Sequence, residues 1–166
     1  KETYFHLAAL LLDQDLATLA MQVFDNAPDR PDVYMQRAKF HVLIKDLEKA
    51  TVDINRALAA EPDNADFLQV AAQLALRQRK WDLAEQYAMK IQDVQPALTA
   101  ECCLVLIYAY EGQQRPLKSL ELLREVSPFL LADYPDLILM KAEIQLNHSL
   151  FDELHETIAS YALSYP

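Results

Sequence analysis

His6, His41, His148 and His155 are the only imidazoles in the chain. Zinc chemistry needs His or Cys at tight spacings, such as two imidazoles four residues apart on one helix face. No HExxH and no His–Cys spacing occurs here, and a turn predicted between His148 and His155 puts them on different helices. Asp13-Gln14-Asp15 and Asp63-Asn64-Ala65-Asp66 gather carboxylates of the kind that ligate calcium. Both lack the loop glycine and the distal glutamate, so they read as turn and helix-cap residues. Cys102 and Cys103 are adjacent. They build no disulfide framework and read as small apolar packing residues rather than a redox pair. No serine, threonine or cysteine stands in a recognisable nucleophile context. A single glycine excludes the phosphate cradles of P-loop and dinucleotide type, which need two or three. The expectation is a chain that is not an enzyme, with no metal and no cofactor.

Charge narrows the partners. Fifteen basic against 25 acidic residues leave a formal charge of −10, the wrong sign for a phosphate footprint, so no direct nucleic-acid binding is expected. The longest uncharged apolar stretch, Cys102 to Tyr110, is about half of the ~20 residues a membrane-spanning helix needs. No basic-plus-apolar leader is visible, and Lys1 rather than Met comes first; a fragment of a longer chain, or a processed product, is expected. The sparse, unframed cysteines favour a reducing compartment, and a cytoplasmic location is expected.

The elements that would carry any site are helices. One glycine and eight prolines leave little material for the tight turns of sheet proteins, while Ala, Leu, Gln, Glu and Lys fill the intervals. Pro28, Pro62 and Pro96 stand 34 residues apart, and Ala38/Ala72 and Ala50/Ala84 keep the same interval. Each period reads as two helices. Prolines end the second, and Asp63-Asn64 and Asp29-Arg30-Pro31-Asp32 are expected to cap the next. Short side chains at Ala38 and Ala50, and again at Ala72 and Ala84, would let the paired helices approach closely.

A 34-residue helix–turn–helix period resembles the tetratricopeptide repeat. Tyr34, Ala38, Ala50, Ile54, Ala57 and Pro62 fill the pattern in one unit, and Leu68, Ala71, Ala72, Ala84, Ala88, Ile91 and Pro96 in the next. Pro135-Asp136-Leu137 echoes Pro31-Asp32-Val33, with Ala142 where Ala38 stands. Tyr108 and Gly112 look like the family's helix-A tyrosine and turn glycine, and Gln113-Gln114-Arg115 reads as a lengthened turn before Pro116. The family's Trp and its small-position Gly are missing from every unit; Trp81 reads as a packing anchor. The resemblance implies an all-α, right-handed superhelical solenoid of about five antiparallel helix pairs. It forms a single domain over 1–166, with units near 1–28, 31–62, 65–96, 98–131 and 135–166.

In this family the first helix of each pair, helix A, lines a concave groove. The implied groove positions are Asp32, Met35, Gln36, Lys39, Val42 and Leu43, then Asp66, Gln69, Val70, Gln73, Leu76 and Arg77. The last unit supplies Asp136, Leu139, Met140, Glu143, Leu146 and Asn147. Two frames, one residue apart, fit the fourth unit, and Cys103 and Tyr110 face inward in both. The Lys/Asn/Asn/Lys/Arg set with which some members grip a C-terminal carboxylate is absent, which argues against that class of ligand. The expectation is a non-catalytic scaffold that takes a protein or peptide segment with an apolar face by helix-in-groove burial. Met35, Lys39, Val42, Val70, Gln73, Cys103, Tyr110, Leu139 and Met140 would contact it. Two alternatives stand beside this one. The apolar positions are core covered by superhelical twist, or the array is a regulatory or self-association domain, forming a homodimer or docking on a longer parent such as a transcription regulator, protease or secretion component.

Overall fold

A computed structural model describes residues 3–14, 16–97 and 99–164. Leu98, where the fourth expected unit begins, Asp15 of the first acidic turn, and both chain ends lie outside the described residues. The described residues form helices α1 (Thr3–Asp13), α2 (Ala17–Asp25), α3 (Pro31–Leu43), α4 (Leu47–Ala60), α5 (Ala65–Arg77) and α6 (Trp81–Val94). They continue as α7 (Ala100–Gly112), α8 (Pro116–Glu125), α9 (Pro128–Asp133), α10 (Pro135–Asn147) and α11 (Phe151–Ser164), with no strand among them. Successive helices pack as hairpins, and each hairpin packs on the next.

In the four hairpins from α3 onward the turn is the same device. Lys45, Arg79, Gln114 and Ser149 have φ of 64°, 58°, 60° and 58°. The amide after each one donates back to the helix: Asp46 N to His41 O at 2.8 Å, Lys80 N to Ala75 O at 2.9 Å, Arg115 N to Tyr110 O at 2.8 Å, and Leu150 N to Gln145 O at 2.9 Å. This is a Schellman stop, which satisfies the last carbonyls of the helix through one left-handed residue. None of the four is glycine. Gly112 instead ends α7, so the expected turn glycine does not make the turn.

These stops fix the frame. They lie 34, 35 and 35 residues apart, and so do the starts of α3, α5, α7 and α10. The turn at 113–115 has the same length as the turn at 78–80 and is not lengthened. The extra residue sits upstream, between α6 and α7, where 95–99 replaces the four-residue link 61–64.

Helix starts follow local chemistry. Pro31, Pro116, Pro128 and Pro135 occupy first-turn positions, where a missing N–H costs nothing. Asn64 Oδ1 accepts from Asp66 N and Phe67 N, as a cap should. At α3 the expected carboxylate cap does not form. Arg30 is the N-cap residue without a side-chain bond; Asp32 pairs with Arg30, and Asp29 accepts from the Tyr34 hydroxyl.

Helix B of the fourth unit departs from the others. α4 and α6 each run 14 residues, whereas α8 stops at Glu125 after 10. Pro128 has no N–H to give Arg124 O, and Ser127 restarts the chain by accepting from Leu130 N at 3.2 Å. α9 is therefore the last turn of a broken helix B, re-aimed at Ser127-Pro128, and it reaches past the expected boundary at 131.

The core is a chain of four clusters along the array. Ala38 and Ala50 share one cluster and Ala72 and Ala84 the next, each with no exposed surface. Leu58 and Tyr87 pack against both, so neighbouring units share apolar contacts, as repeat arrays require. No helix among the described residues is long and apolar enough to cross a membrane.

Candidate partner-binding groove

The expected groove face comprises the second, fifth, sixth, ninth, twelfth and thirteenth residues of each helix A. With α7 starting at Ala100, these are Glu101, Leu104, Val105, Tyr108, Glu111 and Gly112 in the fourth unit. Cys103 and Tyr110 therefore leave the groove face. Cys103 takes the place of Tyr34 and Leu68, and is fully buried in the α7–α10 cluster. Tyr110 takes the place of His41 and Ala75, and stacks under Arg115 and Lys118 at 5.9 and 5.3 Å. Burial, then the nearby Glu85 carboxylate, pushes its hydroxyl pKa up.

The other apolar positions divide. Met35 and Val70 are buried, at 8% and 6% exposure, in the cluster between α3 and α5, with Val42 half-buried against it. Neighbouring helices cover these side chains, which lie behind the expected face rather than on it. Met140 is half-buried on the α7–α10 cluster. Leu139 stays 58% exposed, Gln73 is exposed and Lys39 is half-buried.

The face that remains is mixed. Lys39, Gln73, Tyr108 and Glu143 are structural equivalents along it, and Leu43, Tyr108, Leu139 and Leu146 each leave about half of a large apolar side chain uncovered. Carboxylates recur at the second position, as Asp32, Asp66, Glu101 and Asp136, in the first turn of α3, α5, α7 and α10, where the helix dipole favours them. Tyr108, read in the sequence as the repeat's helix-A tyrosine, was not placed on this face, because nothing in 95–99 advertises the one-residue shift.

One ion-paired centre lies off this face. Arg37 of α3 donates two hydrogen bonds to buried Asp53 of α4, at 2.7 and 2.5 Å. His41 Nε2 stands 3.6 Å from the same carboxylate, and burial, outweighing Asp53, lowers the imidazole pKa. Among the described residues no group of three or more His, Cys, Asp or Glu could hold a metal ion. Both cysteines are free, and burial pushes their thiols up to about 11 at Cys102 and about 12 at Cys103.

No family model matches the sequence, and no curated protein matches it. Solved structures do resemble it. A tetratricopeptide repeat protein from Parabacteroides merdae superposes with a TM-score of 0.71 at 16% identity, over 98% of this chain and 64% of that one. A double mutant of MamA RS-1 gives 0.74 at 14% identity, over 98% and 92%. The pilF protein of Pseudomonas aeruginosa gives 0.75 at 16% identity, over 99% and 76%. At such identities the likeness is one of architecture, and it agrees with the helix pairs, the shared clusters and the repeated stop. The chain has the tetratricopeptide-repeat fold.

Proposed function

We propose that the chain is a non-catalytic interaction scaffold that holds a partner polypeptide segment along the face of its A helices. The observation that carries this reading is the row of uncovered apolar side chains at Leu43, Tyr108, Leu139 and Leu146, set among carboxylates at Glu101, Glu111, Asp136 and Glu143. An amphipathic segment with apolar residues on one side and Lys or Arg at its margins would bury the former and neutralise the latter. Lys39, Val42, Gln73, Leu139 and Met140 keep the contact role expected of them. Met35, Val70 and Cys103 support the wall from behind, and Tyr108 takes the part expected of Tyr110. Buried, unpaired thiols fit a reducing compartment such as the cytoplasm.

The test uses Tyr108→Asp and Leu139→Asp, both at exposed sites. Partner chains captured by the unmodified protein should be lost by these variants, while thermal unfolding stays within a few degrees. Retained capture by both would remove the groove from the account.

Self-association is a second reading with its own support. Phe151 and Ile158, seven residues apart on α11, expose more than half of their side chains on one helix face. A mass that rises with concentration, and stays constant in Ile158→Asp, would favour it.

A further inference from the structure

Two crevices lie between a helix B and the hairpin that follows it, and they use the same repeat positions. The smaller, about 290 Å³, is lined by Arg37, His41, Lys49, Val52, Asp53 and Arg56 of the α3/α4 hairpin. The larger, about 470 Å³, is lined by Lys141, Gln145, Glu153, Glu156, Thr157 and Ser160 of α10/α11. Each of these six residues stands 104 places after its counterpart. The two hairpins between them carry Tyr87 and Leu122 where Asp53 and Thr157 stand, and both pack against the core. In the middle of the array these positions are thus filled by partly buried apolar side chains.

The last hairpin is both unsealed and enlarged. Its crevice is closed on the far side by Arg124 and by Pro128, Leu131 and Ala132 of α9, the turn that Ser127-Pro128 re-aims. Its two buried lining residues are polar and uncharged, while the charged ones, Arg124, Lys141, Glu153 and Glu156, lie nearer solvent. Gln145 is 1% exposed and Thr157 8%. Gln145 hydrogen-bonds the Glu153 carboxylate, which leaves its own Oε1 buried without a partner. A buried acceptor in that state is destabilising until a donor arrives. The smaller crevice also holds a buried atom without a partner, His41 Nδ1, but its floor is charged, with the Arg37 guanidinium bonded to both oxygens of Asp53, so it suits a neutral apolar ring less well.

We propose that the α8–α11 crevice is a binding site for a planar apolar ring carrying one N–H donor, an indole-like group. Its volume lies within the range of small-molecule sites. Pro128, Leu131 and Ile138 would take the ring faces, and the Gln145 amide oxygen would take the donor after a small side-chain rotation. The group is either a free heterocycle or the side chain of a tryptophan on a partner. The site uses helix-A positions outside the groove face, so it stands or falls apart from the groove reading.

The test is an NMR titration of the full chain with indole and with N-methylindole, which has the same ring and no donor. Indole should shift resonances of α8–α11 saturably, with N-methylindole at least about tenfold weaker, the worth of one hydrogen bond. Thr157→Leu restores the side chain that seals the fourth hairpin, and should abolish saturable indole binding while Tm holds or rises. Ala132→Trp, which fills the crevice from its rim, should do the same. Gly-Trp-Gly, titrated in parallel, separates the sources: tighter binding than indole with the same shifts marks a partner side chain, and weaker binding marks a free heterocycle. Equal affinity for the two indoles, shifts scattered over the array, or unchanged binding in Thr157→Leu and Ala132→Trp would each overturn the proposal.

Discussion

The indole of Trp81, at the start of α6, lies against the backbone of Gly112, at the end of α7, so closely that a Cβ on Gly112 would clash with the ring carbons. The chain's one glycine is thus spent on a contact between neighbouring units rather than on a turn. Gly112→Ala should lower Tm, with an overpacking cost of about 1–3 kcal/mol. In a Trp81→Leu background the same change should cost much less, and a thermal double-mutant cycle measures the coupling.

Left-handed stops built from Lys45, Arg79, Gln114 and Ser149 carry a backbone cost of about 1–2 kcal/mol each. Arg79→Gly removes it, offset in part by the greater freedom of glycine in the unfolded chain. The expected outcome is a small rise in Tm. Arg79→Val, whose branched side chain resists positive φ, should lower it. Both are read by circular dichroism melts.

Asp53 is buried with Arg37 as its main partner. Arg37→Met leaves that carboxylate uncompensated, a loss of about 3–5 kcal/mol. Arg37→Met combined with Asp53→Leu removes both charges, and should recover most of the stability in urea melts.

His41 is held below its ordinary pKa by burial. A base with a lowered folded pKa binds fewer protons folded than unfolded between the two values, so stability rises with pH across that interval. The contribution is whole above pH 6.5 and declines as the solution is acidified below it. His41→Gln should flatten this part of the Tm–pH profile.

Thiols raised to about 11 and 12 are almost wholly protonated at pH 8, and the thiolate is the reacting form. Cys102 and Cys103 should react with a disulfide reagent at the rate of local unfolding rather than of solvent access. A colorimetric thiol assay with and without urea checks this.

The period was legible because proline and alanine are informative at the positions they hold. Pro62 and Pro96 end helices, and Ala38 and Ala72 sit where nothing larger fits. The shift to 35 residues was not legible, because it arises in 95–99, where one more residue changes no pattern. It moved Tyr108 onto the expected groove face and took Cys103 and Tyr110 off it. Burial of Met35 and Val70 was not legible either: an apolar residue on a helix-A face reads the same whether the next helix covers it or leaves it bare. The break at Ser127-Pro128 did carry a signal, a capping residue followed by a first-turn proline, inside what reads as one helix.

Lys45, Arg79, Gln114 and Ser149 are all exposed and stand one in each of four successive hairpins, held in one backbone shape. Together they form a graduated ruler along one edge of the rod. A dye or spin label placed on any two of these tips, in a background whose own thiols are sealed inside, would report the bend of the array directly, and would register how that bend changes when a guest is seated.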